Sequence, residues 1–105
     1  MNKTMTKGDY DMLRFWLTYV IFDIMMEDFG VRRQEVKDHF TIDIIPYSGR
    51  VVVELDVPND QLPIIKDSLD YVIQMYDRDA EFERVAPGVF ESQVDADYRG
   101  EDENE

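Results

Sequence analysis

Cysteine is absent from all 105 residues, which removes disulfides, thiolate metal sites and cysteine nucleophiles together. Histidine occurs once, at His39, so one chain cannot build a multi-histidine metal site. The five glycines are scattered at positions 8, 30, 49, 88 and 100, and no glycine-rich phosphate loop is present. Ser48, Ser68 and Ser92 are the only serines, and none has the glycine-flanked setting of an activated nucleophile. Positive charge is scarce. Eleven Lys and Arg face 24 Asp and Glu, a net charge of −13, so the field of the whole chain opposes direct nucleic-acid binding. No small-residue cleavage site follows the two lysines of the first eight residues, and a cytoplasmic location is expected.

What is present is apolar and acidic, in unequal places. Hydrophobic residues make up 44% of the chain, enough for one folded domain of this length. From Asp60 to Glu105 fourteen carboxylates meet only Lys66, Arg78, Arg84 and Arg99. Ten of the thirteen net negative charges therefore lie in the last 46 residues. Such asymmetry bears on partners rather than on fold.

Element by element, the pattern predicts one small α+β domain over residues 1–94, with an acidic flexible tail over 95–105. A helix capped by Asp9 or Asp11 runs to about Phe29 and stops at Gly30. Between Met12 and Met26 only Arg14, Thr18 and Asp23 are not apolar. A helix apolar almost all round is expected to be buried almost all round. It is short for a bilayer crossing and carries two ionisable groups, so no membrane contact is expected. Burial against a second copy would complete it, with Phe15, Trp16, Tyr19, Phe22 and Met26 as the oligomer interface. Val31 to His39 reads as a short second helix carrying Arg32, Arg33 and Lys37.

A β-hairpin follows. Residues 40–45 and 50–57 flank the turn-forming Pro46-Tyr47-Ser48-Gly49. Alternation puts Phe40, Ile42, Ile44, Val51, Val53, Leu55 and Val57 on a dry face and Thr41, Asp43, Glu54 and Asp56 on a wet one. A third helix starts near Asn59 or Asp60 with Pro63 in its first turn. Leu62, Ile65, Leu69, Val72, Ile73 and Tyr76 form its apolar stripe, with Asp67, Asp70, Gln74 and Asp77 opposite. Residues 81–85 and 89–94, parted by Ala86-Pro87-Gly88, read as two short strands or as one strand and an extended segment. The hairpin's dry face is expected to pack on both long helices.

Three functions fit these residues. The leading expectation is a non-enzymatic acidic binding module. Its acidic face, Asp43, Glu54, Asp56, Asp60, Asp67, Asp70, Asp77 and Glu81, would dock on a basic, nucleic-acid-binding site of another protein by mimicking nucleic-acid charge. Small acidic inhibitors of nucleases, polymerases and defence complexes, many encoded by phage-like mobile elements, share this size and charge. The alternative is a homo-oligomeric adaptor, chaperone-like or structural protein that uses the apolar first helix as its interface. The third is a small enzyme or metal binder in which His39, Asp43, Glu54 and Asp56 are neighbours. Catalysis by paired acids requires burial to separate their pKa values, and the calcium-loop spacing is absent. No catalytic residue, metal ligand or cofactor is assigned.

Overall fold

The computed structural model describes residues 3–57 and 59–100. Its helices are α1 (Lys7–Glu27), α2 (Arg33–Val36) and α3 (Leu62–Ile73), and its strands are β1 (Lys3–Met5), β2 (Phe40–Ile45), β3 (Arg50–Leu55), β4 (Glu83–Ala86), β5 (Val89–Gln93) and β6 (Ala96–Tyr98). Single turns of 3₁₀ helix, Lys37–His39 and Asn59–Gln61, precede β2 and α3. A four-stranded antiparallel sheet runs in the order β2-β3-β5-β4. One face of that sheet packs on α1 and α3, and the other faces water.

The start of α1 lies two residues earlier than Asp9. Thr6 is the N-cap: its hydroxyl accepts the Asp9 N–H, and the Asp9 carboxylate accepts the Thr6 N–H at 2.9 Å. Asp9 is thus the second half of a capping box, in which each residue's side chain satisfies the other's otherwise unpaired N–H. In α3, Pro63 falls in the first turn, where its missing N–H matters least. The hairpin faces match the alternation. Ile42, Val51, Val53 and Leu55 are buried, while Thr41, Asp43 and Glu54 are exposed. Two glycines fix the sheet's corners. Gly49 and Gly88 both have φ of +75°, and a Cβ on either would collide with a backbone carbonyl, that of Val94 or of Leu55. Both positions therefore require glycine.

One expectation moves. The chain does not loosen at 95, because β6 pairs in parallel with β1, aligning Lys3, Thr4 and Met5 with Ala96, Asp97 and Tyr98. The Arg99 N–H donates to the Met5 carbonyl at 2.9 Å, and the Lys7 N–H donates to the Gly100 carbonyl at 2.8 Å. Tyr98 packs edge-on between Tyr10, at 5.8 Å between ring centres, and Tyr47, at 4.9 Å. The described residues extend to Gly100, and residues 101–105 of the expected acidic tail lie outside them. Among the described residues, no helix is long and apolar enough to cross a membrane.

Candidate interaction surfaces

The long helix divides into two apolar faces. Leu13, Leu17, Ile21, Ile24 and Met25 recur at helical spacing and are buried in the core. Outside them, Met12, Phe15 and Tyr19 keep 47%, 54% and 57% of their surface in water, although all three are large apolar residues. Trp16, Phe22 and Met26 are half-buried beside them. Burial almost all round, expected for this helix, is therefore not achieved within one chain. The core has a single layer of helices, which covers one side of α1 and leaves the other open.

The five positions expected at an oligomer interface do fall together. Phe15 stacks edge-on against Trp16 at 5.1 Å, and Trp16 against Tyr19 at 5.9 Å. Phe15, Tyr19, Phe22 and Met26 line one groove of about 400 Å³, bordered by Thr18, Asp23 and Arg33. Phe22 is also anchored inward, its ring 5.8 Å from that of Phe40. Edge-to-face contacts of this kind are energetically favourable, and they join Phe15, Trp16 and Tyr19 into one cluster.

The expected acidic face is not one surface. Asp43 and Glu54 lie on the outer side of the sheet, whereas Asp67 lies on the solvent side of α3, in the other layer. Two aspartates of the predicted row, Asp70 and Asp77, bond within the chain. Asp70 is only 14% exposed, pairs with Lys66 at 2.6 Å, and accepts the Phe82 N–H at 2.6 Å. The hydrogen bond and charge of Asp70 hold the Lys66 ammonium above its ordinary pKa. Glu81 joins the same cation at 3.5 Å. Asp77 accepts the Asp79 N–H at 3.2 Å and the Asp95 N–H at 2.8 Å. These three acids tie the end of α3 to the chain that follows it. The i,i+4 spacing of Lys66 and Asp70 was the available sign of such a pair. Asp56 and Asp60 are exposed, and Asp56 sits 3.7 Å from His39.

Sequence reasoning omitted two acids of the outer sheet face. Register places Glu91 beside Val52 and Glu83 beside Glu91, so Asp43, Val52, Glu91 and Glu83 form one cross-strand row. Like charges directly opposite one another repel. The Arg50 guanidinium offsets this by bonding Glu91 at 2.5 Å, which raises its own pKa. The signal was weak because β4 and β5 lack clean alternation.

His39, Glu54 and Asp56 share an open depression of about 320 Å³, while Asp43 lies outside it. The Asp56 side chain is 87% exposed. Its carboxylate therefore lies largely open to water. Among the described residues, no group of three His, Cys, Asp or Glu side chains is placed to hold a metal ion. Compared with protein-family models, with curated proteins and with solved structures, the chain matches none.

Proposed function

We propose that this protein is a non-enzymatic protein-binding module whose contact element is the outer stripe of α1. The observation that carries this reading is the exposure of Phe15 and Tyr19, each more than half in water on an ordered helix, within an aromatic cluster that lines a groove. Contiguous apolar surface of this kind has a free-energy cost in water that docking removes. Aromatic side chains in a pocketed setting are the usual anchors of protein interfaces. The acidic remainder of the surface keeps the free protein soluble and discourages contacts elsewhere.

The charge-mimic reading has a narrower basis. Asp70 and Asp77 spend their oxygens on internal donors, and Asp43 and Asp67 lie in different layers. Salt separates the two readings, because screening acts on exposed charges and not on apolar contact. Immobilised full-length protein is expected to retain its partner at about 50 mM and about 500 mM salt alike. A Phe15→Ser/Tyr19→Ser double variant is expected to lose it. Retention at low salt only, abolished by neutralising Asp43, Glu54 and Glu83 and untouched by the stripe variant, would transfer the binding role to the acidic sheet face.

A further inference from the structure

β6 and β1 form a two-stranded sheet of their own, separate from the four-stranded one. The chain reaches β6 from firmly held ground. Val94 is buried, its N–H donates to the Gly49 carbonyl at 2.8 Å, and the Asp95 N–H donates to the Asp77 carboxylate at 2.8 Å. Past that point the hold is thinner. Ala96 and Tyr98 are half-buried and Asp97 and Arg99 are exposed, so no side chain from 96 to 99 is fully enclosed. Backbone bonds to Met5 and Lys7, with the rings of Tyr10 and Tyr47, keep the segment in place, and Tyr47 is itself 87% exposed. Met5 is fully buried, so β1 remains with the core when β6 leaves it.

Beneath β6 lies a polar group without a partner. The Tyr10 hydroxyl is buried and bonds nothing among the described residues. Its ring meets that of Tyr98 edge-on. Burial, and next Tyr98, raise its pKa, so the two phenols are close. Both residues line a small cavity of about 140 Å³ between the start of α1 and the hairpin turn, together with Lys7, Arg14, Ile44 and Pro46. A buried hydroxyl that bonds nothing costs free energy that contact with water returns. The closed form therefore carries a cost that opening of β6 relieves.

From this arrangement we infer that residues 96–100 are a lid on the tyrosine cleft, hinged at Asp95, with a minor open form in which the core stays folded. Closed, the lid gains the β1 ladder and the contacts of the Tyr98 ring. Open, it wets the Tyr10 hydroxyl and widens the cavity beside Lys7 and Arg14. Segments with few enclosed side chains are the ones that open in this local way. The same motion frees two amides far apart in sequence: that of Arg99, bonded to the Met5 carbonyl, and that of Lys7, bonded to the Gly100 carbonyl. Lys7 begins α1, so the lid also governs how firmly the first turn of that helix is held. None of this depends on what the outer stripe of α1 contacts.

Native-state hydrogen exchange of the full chain, followed by magnetic resonance at low urea concentrations, reads this motion. After correction for intrinsic rates, the Arg99 and Lys7 amides are expected to exchange together, more than about a hundredfold faster than the amides of β3. Their exchange should hardly respond to urea, because a small opening exposes little surface. Tyr10→Phe removes the unpartnered hydroxyl and keeps the ring, so it should slow both amides by about tenfold relative to β3. Tyr98→Ala removes the ring that holds the lid and should speed both by about tenfold, with β3 unchanged. Should Tyr98→Ala fail to fold, the native chain and Tyr10→Phe decide. Equal protection and equal urea response at Arg99, Lys7 and β3 would mean that β6 opens only with the whole domain, which overturns the lid. Fast exchange at Arg99 with Lys7 still protected overturns it too, since one segment covers both. An opening unmoved by Tyr10→Phe overturns the hydroxyl as its drive, and with it the tyrosine cleft as what the lid controls.

Discussion

α1 and α3 lie side by side and bury the same kind of surface, yet they arrange what they show water differently. Each turns a run of fully buried aliphatic residues inward: Leu13, Leu17 and Ile21 from one, Leu62, Ile65 and Leu69 from the other. On α3, Lys66 and the largely covered Asp70 bond each other, and the amide of Gln74, its C-cap, donates to the Ala80 carbonyl at 3.1 Å. Ile64 and Tyr71 are exposed on α3 too, and Met75 just past its end, but Asp67 and Ser68 interrupt them. The outer side of α1 has no such interruption from Met12 to Met26 along its seam. Burial within the chain therefore leaves apolar side chains in water on both helices, in a continuous row on α1 and an interrupted one on α3. A helix whose second face is apolar and uncovered is the place to look for a partner.

The sharpest way to break that comparison is to truncate both faces. Leu17→Ala and Leu69→Ala remove fully buried side chains and should each cost about 2–5 kcal/mol in urea unfolding. Tyr19→Ala, measured at low protein concentration so that association does not contribute, should cost less than about 0.5 kcal/mol. A cost for Tyr19→Ala near that of Leu17→Ala would mean that the stripe is already packed within one chain, and the contrast between the helices would disappear.

A smaller effect separates structural acids from solvating ones on α3. Asp70→Asn weakens both the bond to Lys66 and the acceptor for the Phe82 N–H, hydrogen bonds of the charged kind worth about 1.5–3 kcal/mol. Asp67, one turn away and exposed, should tolerate the same change within about 0.5 kcal/mol. Equal costs at the two positions would mean that the carboxylates of α3 act through their summed charge and not through individual bonds.

How far the sequence revealed this molecule follows from the range of each signal. The hairpin was legible because alternation and a four-residue turn act locally, so Ile42 faced in and Asp43 out as expected. α3 was legible because its stripe has helical period throughout. Thr6 was missed as the cap because Asp9 and Asp11 are also capping residue types, and only the pairing of Thr6 with Asp9 distinguishes them. β1 and β6 were illegible. They are three residues each and lie some ninety residues apart, and a parallel pair so short leaves no local pattern. At the surface, composition counted carboxylates but could not see that Asp70 and Asp77 bind backbone N–H groups of segments folded back from later in the chain. The five α1 stripe residues were found as a group, because their identity and spacing are both local, whereas their exposure depended on how many layers the fold supplies.

The smallest expected effect concerns Tyr10, at the buried start of α1. Burial, reinforced by Tyr98 and Asp9, raises the pKa of Tyr10, and burial with Asp9 does the same for Tyr76. The Tyr10 hydroxyl has no hydrogen-bond partner among the described residues. Lys66 is raised as well, by its bond to Asp70. In the unfolded chain these groups lose protons near pH 10, at about 10 for tyrosine and about 10.4 for lysine. Below that range both states are fully protonated, and the Lys66–Asp70 pair contributes in full. As pH rises past it, the unfolded chain releases protons before the folded one, so stability falls with each step until the raised folded values are passed. The urea midpoint should thus be level at mildly alkaline pH and decline above about pH 10. Tyr10→Phe should make that decline shallower and remove one late step from the phenolate absorbance titration. At neutral pH it should be neutral or stabilising by up to about 1 kcal/mol, because it deletes a buried donor that bonds no protein group. A Tyr10→Phe variant that keeps every late step and the full alkaline slope would show that the start of α1 meets water freely, and that the helix has no closed face there.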